Sequence, residues 1–220
     1  MRICYKILTH NETDSLEKLL DFLFENIKKE DHIIVCDDFS ESPTRKILAK
    51  YVIEDAERLN QYDYFQRKFK GDFAEHHNFV NNLVREEFDY IFSIDADEIP
   101  NKWLIENIHE ILESNDVDLI WLPRVNTVEG ITDEHIQKWG WRVNEQGWVN
   151  FPDYQGRIYR NDKSIYWVNP VHEVVEGAKK VSHFPPQEEF CLYHPKNIER
   201  QEKQNQLYDK IQTESLWKFY

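Results

Sequence analysis

The chain has 220 residues, with 41 Asp and Glu set against 27 Lys and Arg, giving a formal net charge of -14. That balance excludes a protein that grips nucleic acid by broad phosphate neutralisation, and one held on an anionic membrane by charge alone, because both need a basic face. With 40% hydrophobic residues, 14% aromatics, six Gly and eight Pro, the composition is that of a globular chain with material for one core, not of a disordered or fibrous one.

No run of about 18 apolar residues occurs, so no membrane-spanning helix is expected. The opening MRICYKILTH is too short and too polar for a secretory leader. Three widely spaced cysteines, Cys4, Cys36 and Cys191, are odd in number and read as reduced thiols. These features lead to the expectation of a soluble, cytoplasmic protein.

In chain order, Ile3–Thr9 is a short apolar run rich in strand formers. Residues 14–30 follow with Leu16, Leu19, Leu20, Leu23, Phe24 and Ile27 at helical spacing, and Asp14 with Glu17 suggests a capping box. The pattern repeats with a buried strand at 32–36 and a helix at 43–52 that has Pro near its start. A third unit runs from a weak strand at 62–65 into a helix at 73–87, and 90–94 is the clearest strand in the chain. A further amphipathic helix is predicted at 101–114 and a strand at 118–123. From about residue 126 the texture changes, with Trp139, Trp141, Trp148, Phe151, Tyr154, Tyr159, Tyr166 and Trp167 interleaved with Gly140, Gly147 and Gly156. That stretch reads as a long loop and short antiparallel strands, and 196–214 as a polar helix.

Strands alternating with helices predict an α/β fold: a mostly parallel sheet, helices on both faces, and a small antiparallel C-terminal part. A single domain, 1–220, is expected, without internal repeat or linker. In such sheets ligands bind beyond the carboxyl ends of the strands. Two strands end there in acid, the second in Asp37-Asp38 and the 90–94 strand in Asp95-Ala96-Asp97-Glu98. Alternate side chains of extended backbone share a face, so Asp95 and Asp97 are expected to project the same way. Carboxylates held that close repel, and a divalent cation relieves the repulsion; oxygen ligands suit Mg²⁺ or Mn²⁺. Strand-end acids also cap turns, a role open to Asp37 and Asp38. For the Asp95 to Glu98 cluster, metal binding is the expectation.

The strings ILTHNE, IIVCDDFSESPT, FAEHHNFVNN and FSIDADEIP, in this order and spacing, resemble the nucleotide-sugar glycosyltransferases of family 2, whose fold is GT-A. The later FPDYQGRIYRNDKSIYWVNPVHEVVEG and CLYHPKNIERQEKQNQLY look like the branch that includes lipopolysaccharide-core glucosyltransferases. The resemblance runs from residue 3 to about 208. It implies a donor half over about 1–100, an acceptor and catalytic half over about 101–195, and a C-terminal helix over 196–220.

It also implies roles. Thr9, His10 and Glu12 fall in the donor-binding turn after the first strand, with His10 in place of the more usual Tyr. Asp38 matches the acid that reads the nucleotide base or ribose. Asp95 matches the first acid of the D-x-D element, near ribose and metal, and Asp97 the principal metal ligand. His194 falls where related enzymes carry a His that completes the metal shell. His77-Asn78 stands in place of a common Arg-Asn pair, which puts less positive charge near the pyrophosphate.

A departing diphosphate still needs a cation, and Arg157 aligns with an Arg of the family's R-x-F-R pattern; Arg160, three residues on in a strand, should face the other way. Inverting transfer needs a carboxylate to take the acceptor hydroxyl proton, and Glu173 or Asp153 could serve. The aromatic segment suits an acceptor cleft, since sugar rings present apolar faces, or the core of a small sheet. The implied function is metal-dependent transfer of a sugar, most readily from a UDP-sugar, to a saccharide or other hydroxyl acceptor. The competing readings are a nucleotidyltransferase, which usually carries a Gly-rich basic loop that THNETDS lacks, and a non-catalytic saccharide-binding protein.

Overall fold

The computed structural model describes residues 1–56 and 61–217. Its elements in order are β1 (Ile3–Thr9), α1 (Asp14–Asn26), β2 (His32–Asp37), α2 (Ser42–Ala56), β3 (Tyr62–Gln66), α3 (Phe73–Asn81), β4 (Tyr90–Asp95) and β5 (Ile99–Pro100). There follow α4 (Lys102–Ser114), β6 (Leu119–Glu129), α5 (Asp133–Trp139), β7 (Val149–Arg160), β8 (Tyr166–Val168), β9 (Val174–Glu176), β10 (Val181–His183), β11 (Leu192–Asn197) and α6 (Ile198–Trp217). The last three residues of the expected 196–220 helix lie outside the described residues.

The large sheet has the order β3-β2-β1-β4-β7-β6-β11-β5, with β10 added on β6, and β8 and β9 form a separate antiparallel pair. From β3 to β4 every pairing is parallel; β7 then enters antiparallel to both β4 and β6. The mostly parallel sheet covered on both faces is the α/β architecture expected. Alternation along β1 divides the core. Ile3, Tyr5 and Ile7 pack with Leu16, Leu19, Leu20 and Leu23 of α1 and with Leu104, Ile105 and Ile108 of α4. Cys4 faces the opposite side, among Ile34, Ile91, Val80 of α3, and Trp167 and Val175 of the small hairpin. Each fully buried Leu of α1 contributes about 1.5–3 kcal/mol relative to exposure.

Lys6 shares that second face although its side chain is ionisable. Fully buried, its Nζ donates to Asn81 Oδ1 at 2.8 Å and to the Tyr159 hydroxyl at 2.7 Å, which ties β1 to α3 and β7. Burial pushes its amine well below the ordinary lysine range.

The structure departs from the local expectations in four places. The capping box at Asp14 and Glu17 does not form: Thr13 is the N-cap and its side chain makes no capping bond. Helix α3 stops at Asn81, because residues 82–87 turn back towards β4. Strand β6 continues to Glu129, and its partner β7 is twelve residues long, so the antiparallel part is not confined to short strands. Within the expected long loop, Thr132 caps a short helix that carries Trp139, and Gly140 ends it at φ +64°.

The three cysteines are buried free thiols. No helix among the described residues is long and apolar enough to cross a membrane.

Candidate functional site

The strand order turns at β1: β2 and β3 lie to one side of it and β4 to the other. The carboxyl ends of β1, β2 and β4 therefore converge, and a ligand crevice opens at such a switch point. Register fixes the meeting, since Thr9 lies opposite Asp37 and Leu8 opposite Asp95.

After β1 and β2 the backbone is laced together. The Asn11 amide donates to Ser40 Oγ at 2.7 Å, the Glu41 amide to Asn11 Oδ1 at 2.7 Å, and the Asp38 amide to Thr9 O at 2.9 Å. Asp37 is fully buried and accepts from the Ser40 amide and hydroxyl, Tyr64 and Gln66, so it performs the turn-capping role. Asp38 points elsewhere: one carboxylate oxygen accepts the Phe69 amide at 2.8 Å, and the other lies 3.5 Å from His10 Nδ1. His10, Asp38, Phe39 and Lys68 line a pocket of about 460 Å³.

After β4 the chain turns at once. The Glu98 amide donates to Asp95 O at 2.9 Å, and the Asp95 amide to Glu98 Oε2 at 3.0 Å. Asp97 thus lies in a turn, and the strand alternation expected to align it with Asp95 stops at Asp95. A line of alternating charge follows. Arg157, 4% exposed, gives one bond to each Asp95 oxygen and a third at 3.0 Å to Glu98, which is wholly buried. Arg124 donates to Glu98 at 2.9 Å and twice to Asp153 Oδ2, its register partner across β6 and β7.

Burial alone would raise the Asp95 carboxyl, but the Arg157 guanidinium outweighs it and brings it down to about 2. Burial likewise opposes ionisation of Asp153, and Arg124 overcomes it, leaving this carboxyl below its ordinary range. Asp153 also accepts from Asn126 Nδ2 and Gln155 Nε2, both at 2.9 Å.

Asp97 and His194 meet under this line. His194 Nε2 lies 3.0 Å from Asp97 Oδ2, and Arg200 of α6 donates to the same oxygen at 2.9 Å. Arg200 also grips both oxygens of Glu12, which brings the turn after β1 to Asp97. Burial resists the charge on Asp97, yet His194 and Arg200 hold its carboxyl well below the usual carboxylate range.

The His194 ring is oriented from behind. Asn126 gives its NH₂ to Asp153, so its oxygen faces His194 Nδ1 at 2.7 Å, and that nitrogen carries the hydrogen. His194 and Asn126 are register partners across β11 and β6. The bond to Asn126 fixes the ring so that Nε2 points at Asp97 Oδ2, 3.0 Å away. The three residues expected together at a cation do not form one group: Asp97 and His194 meet, while Asp95 gives both oxygens to Arg157. Among the described residues no cluster of three or more His, Cys, Asp or Glu is arranged to hold a metal. Asp97 and His194 would supply one oxygen and one ring nitrogen to a hard divalent cation, in place of their direct contact.

Glu173 follows the β8–β9 turn, where Asn169 and His172 both adopt positive φ. That turn is docked on α3. Asn78 bonds the Trp167 backbone in both directions at 2.8 Å, His77 stacks on the Trp167 ring at 4.1 Å, and the Phe73 amide donates to Pro170 O. His77 and Asn78 thus support the segment that carries Glu173. His77 Nε2 is 3.7 Å from the Glu173 carboxylate, and burial drives the His77 ring well below its ordinary pKa, towards the neutral form. Burial also raises the Glu173 carboxyl.

Arg160 faces away from Arg157, towards Asp116 and Asp118 at the surface. Trp139 and Trp141 pack against each other 4.7 Å apart, and Trp148 against Phe151. Arg124, Asn126 and Arg200 were not among the residues picked from the sequence. Only the spacing of Arg200, six residues after His194 at the start of a polar helix, hinted at its position.

The architecture has solved counterparts. S. aureus TarS, residues 1–349, superposes with a TM-score of 0.59 at 17% identity, covering 89% of this chain and 60% of that one. The same fragment in complex with UDP-GlcNAc gives the same score and identity over 89% and 58%. Against the longer TarS structure the shared part is 37% of that chain, so the present chain spans only part of that protein. At this identity the likeness is one of fold. No curated protein matches the chain significantly. Residues 6–174 match the model of Glycosyl transferase family 2, and a match over most of the chain that contains Asp38, Asp95, Asp97 and Glu173 assigns it: the chain belongs to glycosyl transferase family 2.

Proposed function

We propose that the protein is a metal-dependent, inverting glycosyltransferase that moves a sugar from a nucleoside-diphosphate donor, a UDP-sugar, to a hydroxyl of a saccharide acceptor, in a reducing compartment such as the cytoplasm. The observation that carries the reading is the buried Asp97 and His194 pair, its ring set by Asn126 and its acid tied through Arg200 to Glu12. The UDP-GlcNAc complex of TarS supports the choice of donor, and the two C-terminal strings point to a lipopolysaccharide-type acceptor.

In this reading Asp38 accepts from the base or ribose, and Thr9, His10 and Glu12 border the donor. Asp97 and His194 hold Mn²⁺ or Mg²⁺, with Asp95 alongside; when bound, the ion supplies positive charge to the departing diphosphate. Arg157 keeps Asp95 ionised and pairs with Glu98, so the acid cluster stays set when ligand is absent. Glu173 takes the proton of the acceptor hydroxyl. Its raised carboxyl suits a base that works near neutrality, and its neighbour His77, kept neutral by burial, adds no positive charge that would weaken it. Asp153 was the other candidate, but it accepts from Arg124, Asn126 and Gln155 and is held ionised, which makes it a weak base.

Calorimetry with UDP, with and without Mn²⁺, tests the reading together with assay of nucleoside diphosphate release from a panel of donors. UDP binding is expected to need the ion. Asp97→Ala is expected to abolish donor turnover while the circular dichroism spectrum stays native. Undiminished turnover in that variant would refute the assignment, and indifference to both nucleotide and ion would identify a saccharide binder instead.

A further inference from the structure

Phe39 combines two costs. Its φ is +46°, in the left-handed region that bulky side chains avoid and Gly or Asn accept. It is also 60% exposed, so burial returns little. The conformation is imposed from both sides: the Asp38 amide is tied to Thr9 O, and the Ser40 amide and hydroxyl to Asp37. A glycine or asparagine would fit this turn without strain, and a polar side chain would suit its exposure. An aromatic ring there calls for a planar ligand.

The rest of the pocket names the ligand's chemistry. Asp38 offers carboxylate oxygen as an acceptor, and Lys68 offers an ammonium donor. An acceptor and a cationic donor beside an exposed ring match a nucleobase edge in which a ring N–H adjoins a carbonyl, as in uracil or guanine. Adenine and cytosine present a ring acceptor at that edge and match less well. We propose that Phe39 is the stacking platform for the donor's nucleobase, retained in a strained backbone for that purpose, with Lys68 beside Asp38 reading the edge. The proposal rests on the nucleotide-sugar reading above and adds the residue that binds the base.

Phe39→Asn and Phe39→Tyr test it by calorimetry with UDP and with inorganic pyrophosphate, each with Mn²⁺, alongside thermal melting. Stacking on one aromatic side chain corresponds to a loss of about tenfold or more when the ring is removed. Phe39→Asn is expected to melt no lower than the wild type, to bind UDP at least about tenfold more weakly, and to bind pyrophosphate unchanged; Phe39→Tyr is expected to retain UDP affinity. Wild-type UDP affinity in Phe39→Asn overturns the proposal, as does an equal loss for UDP and pyrophosphate. A wild-type protein that binds no nucleoside diphosphate at all overturns the donor reading itself, a result distinct from either of these.

Discussion

Replacing Arg157 with Ala separates two roles that one arginine could play, a cation waiting for phosphate or the internal counter-charge of the acid cluster. The contacts in the structure are those of the second. Arg157 is 4% exposed, and its two terminal guanidinium nitrogens donate to Asp95 and to Glu98, which is 0% exposed. Removing it leaves Asp95 without its guanidinium and the buried Glu98 with Arg124 as its bonded cation. Breaking a buried ion pair from one side costs about 3–5 kcal/mol. For a chain of this size each kcal/mol lowers Tm by about 2–4 °C, so Arg157→Ala is expected to melt about 6–20 °C below the wild type at neutral pH.

The pH dependence has a definite sign. Arg157 lowers the Asp95 carboxyl from 3.8 to about 2, so its contribution is present above pH 3.8 and is lost as pH falls towards 2. Without Arg157, burial favours the protonated carboxyl, and acidification relieves the variant. The gap in Tm is therefore expected to narrow below about pH 4. Calorimetric melts of both proteins from pH 7 to pH 3 measure it. Arg160→Ala is the control, because that side chain is 37% exposed and pairs at the surface; a loss of about 1 kcal/mol or less is expected there. If Arg157→Ala melts within about 2 °C of the wild type at pH 7, with no narrowing in acid, the buried-counter-charge argument is wrong.

Two further outcomes follow from the same geometry. The acid limb of kcat/KM for sugar transfer should fall with an apparent pKa above the ordinary 4.5 of Glu, because burial raises Glu173 and the base must be ionised; Glu173→Gln should remove nearly all turnover while leaving UDP affinity intact, and a variant that kept its turnover would exclude Glu173 as the base. Asn126 acts through His194, so Asn126→Ala should weaken Mn²⁺ binding by about 10–100-fold, measured by titration calorimetry in the presence of UDP; unchanged affinity would remove His194 orientation from the account.

The elements themselves were largely legible. Apolar spacing located α1, α4 and the first strands, since a residue that must face a core has to recur at the period of its own backbone. The ends were less so, because they answer to neighbours: α3 stops at Asn81 to return the chain to β4, and β6 runs to Glu129 because β7 and β11 pair with it there.

Periodicity along the chain was enough to read the α/β class and its acid-rich strand ends, and the ordered motif strings were enough to suggest the family that the family match shows. Which acid faces which cation was decided only by the tertiary structure. Asp95 meets Arg157 across 62 positions, Asp97 meets Arg200 across 103, and Glu12 meets Arg200 across 188. No local pattern encodes such pairings; sheet order and strand register do. That is why the pairing of Arg157 with Asp95 and Glu98 could not be read along the chain.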